Sequence, residues 1–505
     1  LSGTKGRKEQ QKMIKGGKSM ERMIPKGLEP EAVLEIFEEI SRIPRASRHE
    51  EEISNWLVRF AERYNLDCLQ DEMGNVLIRK PGTPGKEDHP AVILQSHMDM
   101  VCEKVPGSNH DFTKDPIQIT VEGDKITAKE TTLGADNGLG LSLSLALLTL
   151  EDAPHPPLEV LVTVDEELGL TGAEKFDASQ LTGKYFINTD SIEENVFTVG
   201  SAGGPTVSAD IPVEWTSPAE GALPYCLRID GLLGGHSAND INRGRGNANK
   251  LLFRLLDALE RKGDYELSSV KGGMAGNAIP REAEAILMVP SENLEILREE
   301  VKRYYDIYKA EYRVGDPDVN VIFEPYEETV SKVFARKTMD SVIDFGVFCE
   351  NGILRMFQDI EGVVESSNNV GCVTTDEEKV TFVFVTRSSL ESIYQTMVLN
   401  IDRLARNVGG SSHKDYDCLE WPYEPESEIR DLFVEVYQEL FDKEAYGIPV
   451  HSGLECGIIA KNMGRKVDMI SVGAKTGNLH KPGEWFSISS TQRYWKLLQE
   501  VLKRL

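Results

Sequence analysis

The chain has no apolar run approaching the length needed to cross a bilayer, so no membrane partner is expected. Cations do not dominate it: 56 Lys and Arg face 83 Asp and Glu, a formal net charge of −27. Without excess cations to displace counterions, nucleic acid is not an expected partner either. Cysteine is scarce, with seven among 505 residues. That odd number, with no CxxC pair, predicts reduced thiols and a cytoplasmic protein. The opening LSGTKGRKEQQKMIKGGKSM is basic but lacks the apolar segment of a signal peptide, and residues 1–27 are expected to form a flexible tail. The glycines of Gly134–Gly140 make neither GxGxxG nor a P-loop ending in Lys-Ser/Thr, which sets nucleotide binding aside.

At this length two or more domains are expected. The organising stretch is VILQSHMD (Val92–Asp99), an apolar strand ending in a polar tip. An apolar run of this length suits a parallel strand covered on both faces, and the space beyond its C-terminal end is the usual site edge of an open α/β sheet. LEVLVTVDEE delivers Glu166 and Glu167 in the same way, and YFINTDS delivers Asp190. TTLGADNGLG carries Asp136 ahead of an apolar helix from Leu139 to Leu150, and its glycines are expected to bring backbone close to whatever Asp136 holds. GNLHKPGEW contributes His480 near the end.

From about Gly203 the pattern changes to alternating half-buried strands and amphipathic helices, and after 388 it returns to α/β character. The expected architecture is a split α/β catalytic domain, residues 28–203 and 389–505, with an α+β lid at 204–388. That lid is long enough for two similar units, around 204–295 and 296–388.

Each polar tip alone is a weak signal, because acids crowd turns and a histidine beside a strand is usually only hydrogen-bonded. Their coincidence carries the argument. Gathering this many carboxylates without cations is costly, and two divalent metals would resolve it. Imidazole mixed with carboxylate suits zinc, with manganese or cobalt as replacements. The expected shell has His97 and Asp190 on one ion, Glu167 and His480 on the other, and Asp136 bridging, with the ions about 3.5–4 Å apart around a shared water. Glu166 would take that water's proton, and Asp99 would orient the His97 ring. Such a site hydrolyses amides. His236, in the glycine-rich LLGGHSAND, is a candidate donor to the developing oxyanion if the lid closes.

The stretches SHMDMVCEK, TLGADNGLG, TVDEELGLTGA, INTDS, GLLGGHS, GNAIPREA, HSGLECG and GNLHKPGEW together resemble the co-catalytic dinuclear-zinc metallopeptidases of the aminoacyl-histidine dipeptidase (Xaa-His dipeptidase) type, over nearly the whole chain after about residue 28. The resemblance implies the same ligand set, Glu166 as base, Asp99 behind His97, His236 as the lid residue at the scissile group, and a cis Asp136–Asn137 peptide. It also implies that Asn277, Ser452 and Gly453 line the substrate space and that Arg387 takes the substrate carboxylate. The implied substrates are short peptides, including Xaa-His dipeptides such as carnosine. The implied assembly is a monomer, the long lid imitating a partner, or a homodimer. The alternatives are a related amidohydrolase acting on N-acyl amino acids or on longer peptides, a short-peptide aminopeptidase of the same family and, remotely, a non-catalytic binding protein.

Overall fold

The structure, a computed structural model, describes residues 22–151 and 153–505, apart from the side chains of 416 and 417. Contacts divide the chain into two compact units. Unit 1 takes the chain through Phe197 with Ser427–Gly447 and Asn462–Leu505, and unit 2 takes Thr198–Glu426 with Ile448–Lys461. The insertion expected at 204–388 lies wholly within unit 2.

Unit 1 is built on the sheet that the apolar runs predict. Val92–His97 lies between Leu158–Thr163 and Tyr185–Asn188, parallel to both. Asp468–Ser471 continues the parallel order beside Tyr185–Asn188. Val76–Lys80 and Asp67–Gln70 extend the other edge antiparallel. Every residue of Val92–His97 and Leu158–Thr163 is buried, as a strand covered on both faces requires.

Helix Ala135–Thr149 is buried along almost its whole length, from Ala135 to Leu148 with Asp136 as the exception. That explains a sequence with no polar face. Glycines at its start make room for other parts of the chain. A Cβ on Gly134 or Gly138 would lie 2.3 or 2.6 Å from the Arg45 guanidinium, and one on Gly140 would strike Asn137 and Thr189 at 2.4 Å.

A second, small sheet pairs Ile119–Glu122 with Lys125–Ala128, then Trp485–Ser487 and Thr476–Gly477, all antiparallel. His480 sits in the loop between the last two strands. Residues 22–27, assigned from the sequence to a flexible tail, are instead anchored. Ile24 is fully buried, and the N–H groups of Met23 and Ile24 donate to the Glu38 carboxylate at 3.0 Å each. The rest of that tail, 1–21, lies outside the described residues.

Unit 2 is organised by a nine-stranded sheet. One half holds Asn320–Pro325, Leu223–Asp230, Ala283–Val289 and Glu266–Gly272, and the other Val364–Thr375, Lys379–Ser388, Gly204–Pro212 and Ser411–Cys418, with Gly352–Met356 as the ninth strand beside Val364–Thr375. The halves join where Gly272 pairs with Val373. The sheet thus has two halves, and they do not follow a cut near 295. The first strand, Gly204–Pro212, pairs with Lys379–Ser388, so the second half encloses the first in sequence. Phe253, Phe345 and Phe382 form part of the shared core, with ring centroids 4.7–5.3 Å apart. Among the described residues no helix is long and apolar enough to cross a membrane.

Candidate metal centre and substrate groups

In unit 1 the parallel strands release their polar tips at one edge. His97 ends its strand fully buried. Its Nε2 lies 3.1 Å from Asp136 Oδ1, 3.7 Å from Asp190 Oδ1 and 4.0 Å from Glu166 Oε2. On the opposite side of Asp136, Oδ2 is 3.3 Å from His480 Nε2, which is itself 3.2 Å from Glu167 Oε2. One carboxylate thus faces both imidazoles with different oxygens. The peptide from Asp136 to Asn137 is cis, and Asn137 Nδ2 donates to Asp190 Oδ1 and to Thr189 O.

Asp99 does more than face the His97 ring. His97 Nδ1 is 3.2 Å from its Oδ1, but the carboxylate also accepts the backbone N–H of Glu166 (3.1 Å), that of Glu167 (3.2 Å) and the Ser47 hydroxyl (2.7 Å). It therefore ties the tip of one strand to the start of helix Glu166–Gly169. Burial opposes its ionisation, yet the hydrogen bonds from His97, Ser47 and Glu166 outweigh burial and bring the carboxyl down to about 2.

The same contest runs through the cluster. Burial and the neighbouring Asp136 charge push Asp190 up to about 7. Hydrogen bonds to Asp136 and Glu167 raise His480 to about 10. His97 is pushed well above its ordinary value because Asp190, Asp136 and Asp99 together overcome its burial. Carboxylates and imidazoles this close compete for protons, and a bound metal ion would compete for the same positions.

The donor set fits a divalent ion. His97, Asp136 and Glu167 offer one donor atom each, all within 4.8 Å of one another. Glu167 Oε1 is buried with no hydrogen-bond partner, an expense that a cation removes.

The other residues singled out from the sequence all lie in unit 2. His236 pairs across a two-residue ladder with Ala278, and the Asn277 carbonyl accepts the Ser237 N–H at 2.8 Å. The Ala238 N–H donates to His236 Nδ1 at 3.2 Å. That leaves the ring proton on Nε2, making Nε2 a donor. Burial and the nearby Arg387 cation lower the His236 pKa. Arg387 extends from strand Lys379–Ser388. Its Nη2 reaches Ser237 Oγ at 3.4 Å, and its Nε is buried with no partner. Among the described residues it forms no ion pair, and the Cys418 thiol is the one group favouring its charge against burial.

Ser452 and Gly453 follow His451, a residue that sequence reasoning missed. His451 Nε2 is 2.7 Å from Ser367 Oγ, and Ser367 is the cross-strand partner of Arg387. Burial and the Arg387 charge push His451 down to about 3. The only sequence signal was its place at the head of HSGLECG. Gly453 has no room for a side chain, since a Cβ would meet Cys418 Sγ at 2.3 Å.

Comparison with known proteins agrees with this architecture. Residues 228–316 match the family model described as a peptidase dimerisation domain. The chain is 37% identical over 478 residues to the cytosol non-specific dipeptidase of Escherichia coli (strain K12), covering 95% of this chain and 98% of that protein. It superposes on the crystal structure of aminoacylhistidine dipeptidase from Vibrio alginolyticus with a TM-score of 0.89 at 36% identity, covering 96% of this chain and 98% of the other. Aminopeptidase PepT from Bacillus cereus shares the fold at 14% identity and a TM-score of 0.53. The chain therefore belongs to the M20 family of metallopeptidases, enzymes that hydrolyse peptide bonds, with a split catalytic domain and an inserted lid.

Proposed function

We propose that this enzyme is a dinuclear metallodipeptidase that cleaves short peptides, Xaa-His dipeptides such as carnosine among them, in the cytoplasm. The observation that carries the two-metal reading is the division of Asp136. Its Oδ1 faces His97 and its Oδ2 faces His480, with Asp190 near the first imidazole and Glu167 near the second. His97 and Asp190 would hold one ion, Glu167 and His480 the other, and Asp136 both, with zinc preferred by the donor types and manganese or cobalt as replacements. When bound, the metal pair supplies Lewis-acid polarisation of the scissile carbonyl and acidifies the attacking water.

The remaining work falls to the protein. Glu166 takes the water's proton on its carboxylate and returns it to the leaving amine. Asp99 holds the His97 ring through Nδ1, and through its backbone bonds it holds Glu166 and Glu167. His236 is assigned the oxyanion donor because its proton is directed to Nε2. Arg387 is assigned the substrate carboxylate, since an enclosed guanidinium without an anionic partner favours an anion. Asn277, Ser452 and Gly453 are assigned to the walls of the substrate space. The relatives named for dipeptide and aminoacylhistidine hydrolysis support the substrate class.

The test is hydrolysis of β-alanyl-histidine, other dipeptides, a tripeptide and N-acetyl amino acids by apo-protein reloaded with zinc, manganese or cobalt. Metal-dependent cleavage of dipeptides, with two metal ions per chain, is the expected result. Cleavage of acylated amino acids alone would overturn the dipeptidase reading, and full activity at one ion per chain would overturn the dinuclear one.

A further inference from the structure

Three of the segments that supply the metal cluster are far apart in sequence, yet their donor atoms lie within a few ångströms. Two residues that touch no donor atom connect them. Glu484, 2% exposed, shares the loop of His480. Its Oε2 accepts the N–H groups of Leu133 (2.8 Å) and Gly134 (3.0 Å), and its Oε1 those of Ala135 (2.7 Å) and Asp136 (3.2 Å). Consecutive amides thus converge on one carboxylate, the last of them belonging to Asp136 itself. Arg45 binds the carbonyl side. Its Nη2 donates to Gly134 O at 2.6 Å, and its Nη1 to Met98 O at 3.0 Å and Asp99 O at 3.1 Å. The guanidinium spans the strand tip after His97 and the loop before Asp136, and Gly134 and Gly138 lack the side chains that would displace it.

We propose that Glu484 and Arg45 are positioning residues that lock the segments of His97, Asp136 and His480 into one frame, so that the metal-binding geometry exists before metal arrives. This rests on the metal reading of the site. The chemistry requires these residue types. A carboxylate offers acceptors on both oxygens, whereas an amide would turn an NH₂ toward two of the same N–H groups and leave them buried and unpaired. A lysine lacks the planar fork that reaches three carbonyls from one side chain.

The experiment compares wild type, Glu484→Gln, Arg45→Lys and His480→Ala, each loaded with cobalt. Visible absorption, the rate of cobalt release to a chelator, and kcat and KM on one dipeptide are measured, with thermal melting to establish folding. Loss of a group that orients ligands costs about 10–100-fold in metal affinity or activity. Glu484→Gln is therefore expected to release cobalt faster by about that factor, with altered absorption bands and a fall in kcat at nearly constant KM; Arg45→Lys should change in the same direction. Release rates and spectra equal to wild type in both variants would overturn the proposal. If Glu484→Gln does not fold, Arg45→Lys decides, and if neither folds the pair is general scaffolding and the proposal falls. His480→Ala tests the underlying reading separately: wild-type metal retention in that variant would remove the metal site itself, whatever Glu484 does.

Discussion

In unit 1, the carboxylates of Asp99, Asp136, Glu166, Glu167 and Asp190 gather around His97 and His480. In unit 2, the Arg387 guanidinium meets a serine hydroxyl and stands near His451 and His236, both pushed toward the neutral form. The first group has too much negative charge for its protein partners, and the second has a cation with no anionic partner among the described residues. The first is a donor set that a divalent ion would complete, and on the proposed reading a substrate carboxylate would complete the second. Opposite charges are thus gathered in different parts of one chain, carboxylates in unit 1 and an enclosed guanidinium in unit 2.

The largest break in this contrast should come from the negative side. Glu166→Gln is expected to lower kcat by about 10²–10⁴-fold with metal content unchanged, read by steady-state kinetics beside elemental analysis; loss of metal in parallel would make Glu166 a ligand instead of a base. On the other side, His236→Ala should lower kcat by about 10²–10³-fold, the usual cost of an oxyanion donor. A change confined to KM would reassign His236 to substrate binding.

Arg387→Met tests the unpaired cation itself. Charge-assisted hydrogen bonds contribute about 1.5–3 kcal/mol, so KM for a dipeptide should rise by roughly 10–100-fold. A dipeptide amide, lacking the carboxylate, should be handled alike by variant and wild type. Equal losses on both substrates would show that Arg387 does not read the carboxylate.

The smallest effect concerns acid stability. His451 has a folded pKa of about 3, below the ordinary value of about 6.5 for an unfolded chain. The unfolded chain therefore binds more protons, and stability is fully present above about pH 6.5 and declines as pH falls toward 3. His451→Gln should flatten the melting temperature between pH 6.5 and 4 relative to wild type. An identical acid profile in the two proteins would show that this imidazole is not held neutral.

Much of unit 1 was legible because its signals are local. The run Val92–His97 is apolar and ends in a polar tip, and Glu166–Glu167 and Asp190 follow the apolar strands Leu158–Thr163 and Tyr185–Asn188 in the same way. What escaped sequence reasoning acts through backbone atoms. Asp99 accepts the Ser47 hydroxyl and the amides of Glu166 and Glu167, and nothing in periodicity distinguishes a carboxylate that binds amides from one that faces water. Glu484 has partners 348–351 residues away; its position between glycine and tryptophan, four residues after His480, was the available signal. In unit 2 the individual strands were readable, but their order was not. Pairing Gly204–Pro212 with Lys379–Ser388 is a long-range event that alternation of polar and apolar residues does not encode.

The chain leaves unit 1 after Phe197 and returns to it at Ser427–Gly447 and again from Asn462, and His480 lies beside an Asp136 made 344 residues earlier. During synthesis, N-terminal segments emerge and begin to fold first. Here the early segments contain His97, Asp136, Glu167 and Asp190 but neither His480 nor the carboxylate of Glu484, so on the proposed reading the centre would be completed only after the unit 2 segments have been made. A peptidase of that kind would stay inert as a nascent chain, and a product truncated before the hairpin of Thr476–Gly477 and Trp485–Ser487 would lack His480.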